Sequence, residues 1–139
     1  MKNDMIYQEL DDINEITFIE KGHFDVGFEL NKKKFFVLRF NRNQIGKFEV
    51  TYNRKSSFLI RAYTDCVGFF IRKITWSKLA EKYPLFFQEI DKKIYVTFIH
   101  KIWSKIVAAK RRKISDYQKR MGGNRQVIAL QDEDIEVYV

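Results

Sequence analysis

The residues best placed to do chemistry lie between Ile45 and Lys73, IGKFEVTYNRKSSFLIRAYTDCVGFFIRK, where a glycine turn and a polar loop interrupt strand-like runs just before a long helical pattern. That layout suits binding, with a pocket rim followed by a mobile lid. Catalysis has no comparable candidates. His23 and His100 are far apart in sequence, and no serine, cysteine or carboxylate pair sits where a nucleophile or an acid–base couple would need it. Metal-ligand spacings of Cys, His or carboxylate are missing too. Cys66 is the single cysteine and lies in an apolar strand-like run, so it reads as a small buried hydrophobe in a reducing compartment. No enzyme activity and no catalytic residue is therefore expected.

The elements that must position this rim follow from periodicity. Glu15 to Glu20, His23 to Leu30 and Lys34 to Phe40 alternate or run apolar, separated by Gly22 and by Asn31-Lys32-Lys33, and read as an antiparallel meander. The two-residue period puts Phe24, Val26 and Phe28 on one face and His23, Asp25 and Gly27 on the other. After a turn at Asn41-Arg42-Asn43, further runs span Ile45 to Val50, Ser57 to Tyr63 and Cys66 to Arg72. With one run around Ile6 this makes seven short strands, which favours a small barrel or roll over a parallel sheet.

Helical patterning then takes over. Thr75 is placed to cap a short helix over Trp76 to Lys82, and Pro84 to open a longer one. Along the latter an apolar stripe recurs at Ile90, Ile94, Phe98, Ile102 and Ile106, beside Trp103 and Val107, while Lys92, Lys93, Lys101 and Lys105 are assigned to the remaining surface. Gly122-Gly123-Asn124 stops the helix near Met121. The expected organisation is mainly β with α: an antiparallel β-roll over residues 5–73, a short helix and a long C-terminal helix over 75–121, and a tail over 122–139.

A chain of 139 residues with 45% apolar and 16% aromatic content suffices for one core. Its N-terminus has no apolar run of signal-peptide type, and no segment reaches the ~18 uncharged residues that crossing a bilayer takes. The net charge of +8 suits an anionic partner. It gathers at Lys32 to Lys34 and Lys110 to Lys113, with Asp132, Glu133, Asp134 and Glu136 opposing it in the tail. The aromatics fall at core spacing and no nucleic-acid motif is present, so nucleic acid is not an expected partner.

IYQELDDINEITFIEKGHFDVGFEL, followed by IGKFEVTYNRKSSFLIRAYTDC, resembles the cyclic nucleotide-binding domain family. The likeness is to the regulatory domains of voltage-gated-like potassium and cation channels, including those abundant in ciliates. It covers Ile6 to Ala108 and rests on the acidic turn after the first strand, Phe18-Ile19-x-x-Gly22, Gly46 of the phosphate cassette, and Arg61-Ala62-x-Thr64-Asp65-Cys66. The resemblance implies an eight-stranded roll with a final helix, carrying Ile94, Phe98 and Ile102, that closes as a lid over cAMP or cGMP. It also implies a cytoplasmic domain of a membrane protein, touching the membrane only through its parent, and a chain that begins inside the roll's early strands.

In that family a glycine lets backbone N–H groups approach the cyclic phosphate, an arginine pairs with its oxygens and a glutamate holds the ribose hydroxyl. The cassette positions here are Gly46, Lys47, Phe48, Glu49, Arg54, Lys55, Ser56 and Ser57. Gly46 keeps the glycine, but Lys47 stands at the glutamate position and Ser56 at the arginine position. A charge-assisted hydrogen bond is worth ~1.5–3 kcal/mol, so losing two weakens affinity on the order of hundreds-fold or more. A shifted set could compensate, with Glu49 as the carboxylate and Arg54 or Lys55 as the cation. No resident cofactor is expected.

The expected function is a regulatory ligand- or partner-binding module with cAMP and cGMP binding weakened or lost. Its pocket would hold a cyclic nucleotide or an internal tail peptide, because Gln126 to Leu130 and Ile135 to Val139 are β-prone. Its other partners would be the parent channel or further subunits. The alternative is a scaffold that senses nothing, whose basic helix from Lys105 to Arg120 docks proteins or acidic lipid.

Overall fold

The computed structural model describes residues 1–121, so the two tail segments lie outside the described residues. Seven strands form: β1 (Met5–Tyr7), β2 (Glu15–Lys21), β3 (His23–Leu30), β4 (Lys33–Asn41), β5 (Gln44–Ile45), β6 (Leu59–Ala62) and β7 (Val67–Arg72). Helices α1 (Lys47–Tyr52), α2 (Lys73–Lys82), α3 (Pro84–Phe98) and α4 (Ser104–Met121) accompany them, and a π-helical segment, Ile99–Trp103, joins α3 to α4. The strands make two antiparallel sheets, ordered β1-β6-β3-β4 and β5-β2-β7. This is the antiparallel roll with C-terminal helices that the sequence pattern implied.

The first three runs are not one meander. β3 and β4 pair through the two-residue turn Asn31-Lys32, both residues at positive φ, but β2 belongs to the other sheet, between β5 and β7. Gly22, at φ 109°, makes the corner between them against the Asp65 carbonyl, where a Cβ would collide. A bulge between Val26 and Gly27 shifts the β3–β4 register and leaves Val37 unmatched.

Two further expectations are corrected. Ile45 to Val50 is not a strand: the chain leaves β5 at Ile45, turns at Gly46 (φ 90°) and winds into α1, closed by the Val50 N–H donating to the Gly46 carbonyl at 2.9 Å. Thr75 does not cap α2, which starts directly out of β7 at Lys73 with no side-chain cap.

Phe24, Val26, Phe28, Phe58 and Ile60 form the roll's inner wall, and Phe98, Ile106 and Ile114 from the helical rod complete the same core. The opposite face of β3 is covered as well. Asp25 is only 2% exposed, its carboxylate accepting from Arg39 Nε and Arg61 Nη2, each at 2.8 Å. Those guanidiniums lie over the rings of Tyr63 and Phe36, at 3.3 and 3.7 Å from the centroids. Burial pushes the Asp25 pKa up, but the two arginines outweigh it and hold the carboxyl below its ordinary value.

Candidate functional site

Between the inner wall of the roll, the Ile45 to Glu49 segment and the α3–π rod lies a cavity of about 290 Å³. Its floor is apolar, from Phe24, Val26 and Ile60. Its lid side is Ile94, Phe98 and Ile102, the three stripe residues assigned to the lid.

The lid is docked through aromatic rings. Phe48 of α1 stacks on Phe98 of α3 with centroids 3.9 Å apart and planes 1° from parallel, while Tyr52 meets Tyr95 edge-on at 5.8 Å. The Tyr52 hydroxyl also donates to the Asp91 carbonyl at 2.6 Å. α1 and the second half of α3 are therefore packed directly on each other.

Of the eight cassette residues, Gly46, Lys47, Phe48, Glu49 and Ser56 line the cavity; Arg54, Lys55 and Ser57 do not. Asn53, at φ 55° and ψ 52°, ends α1, and the Arg54 N–H donates to the Glu49 carbonyl at 2.8 Å, sending the loop away from the cavity mouth. Arg54 and Lys55 are exposed, Lys55 reaching Asp12 at 4.0 Å. Ser57 is buried behind the wall. The structure thus supplies neither of the two cations that a shifted arrangement would use.

Ser56 is 1% exposed and already engaged. Its hydroxyl donates to the Phe58 carbonyl at 2.8 Å, its N–H to the Asp11 carbonyl at 2.9 Å, and its own carbonyl accepts from Leu10 N–H at 2.7 Å. It anchors the loop and has no positive charge to give an anion. Gly46 has the backbone freedom a close approach needs: a Cβ there would sit 2.8 Å from Ile13 Cγ2 and 2.9 Å from the Glu15 carbonyl oxygen.

Glu49 is the buried acid of the cavity, 6% exposed, and burial pushes its pKa up to about 7. Among the described residues it forms no ion pair. The cavity's positive charge comes instead from its side-chain lysines, Lys47 on α1 and Lys93 and Lys101 on the lid rod. Lys93 and Lys101 are exposed, as the helical pattern implied, and also line the cavity. The signal that would have found them is the spacing Lys93, Thr97, Lys101, a second i, i+4 stripe one residue behind Ile94 and Phe98. Among the described residues no group of His, Cys, Asp and Glu could hold a metal, and no helix is long and apolar enough to cross a membrane.

No family model matches the sequence, and no curated protein is significantly similar to it. Solved structures do share its fold. The EAL enzyme Bd1971 in its cAMP and cyclic-di-GMP bound form superposes with a TM-score of 0.60 at 16% identity, over 86% of this chain and 32% of that one. The C-linker/CNBHD of zELK channels, crystallised in the presence of cAMP, gives 0.56 at 19% identity, covering 66% of this chain and 46% of the other. The regulatory subunit of a cAMP-independent protein kinase A from Trypanosoma brucei gives 0.53 at 16% identity, covering 66% and 34%. The chain thus spans about a third of the EAL enzyme, and it has the fold of cyclic nucleotide-binding domains.

Proposed function

We propose that this chain is a regulatory binding module of the cyclic nucleotide-binding-domain type whose affinity for cAMP and cGMP is weakened or lost. The observation that carries the reading is a cavity closed by a docked helical rod, with an internally bonded serine, Ser56, where the family's arginine would stand. A cyclic phosphate brought there meets no guanidinium and lies in the same enclosure as a buried carboxyl, Glu49. The attraction that remains comes from the solvent-screened lysines Lys47, Lys93 and Lys101, which give a phosphate no bidentate grip.

Regulation follows from the packing of α1 against α3. An occupant that fits better with the rod docked holds it down, and one that needs Phe48 displaced releases it; the equilibrium moves only by that difference in affinity. The fold shared with a channel's C-linker/CNBHD supports a place on the cytoplasmic side of a channel subunit, where movement of α4 would be passed to the gate. A tail peptide is the internal occupant this reading favours, its acidic residues meeting Lys47, Lys93 and Lys101.

Removing residues 122–139 tests it. The amide resonances of Phe48, Glu49 and Phe98 should shift relative to the full chain, with the rod loosening as the occupant is lost. Identical cavity resonances in both proteins would exclude the tail. A rise in melting temperature of several degrees with modest cAMP or cGMP would show ordinary nucleotide sensing instead.

A further inference from the structure

Four strands form the outer edges of the two sheets, and three are shielded in the ways edge strands usually are. β1 has three residues and β5 two, too short to template another strand. β4 carries Lys33, Lys34 and Arg39 along its length. β7 has none of these protections ahead of Arg72 at its end. It pairs with β2 alone among the described residues, and from Val67 to Ile71 it reads Val-Gly-Phe-Phe-Ile without a charge. Val67, Phe69 and Phe70 are 60%, 51% and 53% exposed, and Ile74 continues the apolar surface into α2.

We propose that the free edge of β7 is a homodimer interface, at which β7 of a second copy pairs antiparallel to join the two β5-β2-β7 sheets into one. The charges that flank the strand select this occupant: Asp65, two residues before it, and Lys73, the first residue of α2, whose N–H still continues the β2 ladder by donating to the Asn14 carbonyl. An antiparallel pair related by a two-fold axis normal to the sheet can align only residues of like parity, because opposed side chains must share a face. The register centred on Phe69 sets Phe69 against Phe69 of the second copy, Val67 against Ile71, and Asp65 against Lys73. The acidic flank of each strand thus meets the basic flank of the other, twice. Neither Asp65 nor Lys73 has an ion-pair partner among the described residues: the Asp65 carboxylate accepts from the Lys2 backbone N–H, and Lys73 Nζ donates to the Asn53 amide oxygen. Gly68 faces Phe70, giving that ring room.

Light scattering on the full chain should give twice the 16.8 kDa chain mass, falling toward one chain on dilution. In a Cys66→Ser background, oxidation should crosslink the Phe69→Cys variant, whose two thiols meet at the axis. The Phe70→Cys variant should stay uncrosslinked, since its α-carbons lie about 8 Å apart, beyond disulfide reach. Asp65→Lys and Lys73→Glu should each shift the protein to monomer, and the two together should restore the dimer. These sites flank the strand, so they keep the test open if a Phe69 variant does not fold. A single-chain mass at every concentration, with the edge bare or covered by another segment, overturns the proposal. A dimer crosslinked equally at positions 69 and 70, or indifferent to the charge reversals, overturns it as well.

Discussion

Glu49 is the residue whose surroundings differ most from those of an ordinary glutamate. With the carboxyl pushed from 4.5 to about 7 by burial, the folded chain holds a proton that the unfolded chain releases between those values. Stability from this group is full below about pH 4.5 and is lost as pH rises through about 7, by about 3 kcal/mol in all. Glu49→Gln should remove that slope, so the stabilities read from urea melts of the two proteins should separate between about pH 4.5 and 7 and stay apart above it, with the variant the more stable. Asp25 is the opposite case, a buried carboxylate satisfied by two guanidiniums. Asp25→Ala should lower stability in urea unfolding, by less than breaking a fully buried pair would, because the Arg39 and Arg61 guanidiniums left without it are partly open to solvent. Sequence alone put Asp25 on the face opposite Phe24, Val26 and Phe28 and left its burial open, since alternation reports which side a residue takes and not what covers that side. The cover comes from arginines 14 and 36 positions away in sequence.

At the scale of elements, strand-like runs and the apolar helical stripe were legible because burial on one face imposes a period. Ile45 to Val50 misled because Ile45, Phe48 and Val50 suit either geometry over so short a stretch, and the left-handed turn at Gly46 decides for the helix. The π segment was also hidden. A stripe at every fourth residue, from Ile90 to Ile106, drifts around a regular α-helix, and the wider turn at Ile99–Trp103 resets it so that Phe98 and Ile106 both reach the core. Inserting one alanine after His100 adds a residue that the π turn does not absorb and should rotate α4 by about 100°, carrying Ile106, Val107 and Ile114 off the roll. A large fall in melting temperature is expected, whereas the exposed His100→Ala should stay within about 0.5 kcal/mol of the parent. Equal stability of the two variants would mean that the π turn does not set the packing of α4.

For the whole molecule, the roll and its lid could be read from periodicity and resemblance, and the cavity they enclose contains five of the eight cassette positions. The remainder depended on where a loop turned: Arg54 and Lys55 are adjacent to Ser56 in sequence yet point to solvent, and Lys93 and Lys101 reach the site from a helix some forty residues later. On the function proposed above, the enclosure lacks the arginine and the glutamate that would grip a cyclised phosphate and its ribose. Calorimetric titration of cAMP into the full chain, beside the Lys47→Glu/Ser56→Arg variant that restores both, tests this most directly. The account predicts no measurable binding by the parent at micromolar ligand, and affinity at least about a hundredfold higher in the variant. Micromolar binding by the parent, unchanged in the variant, would contradict it.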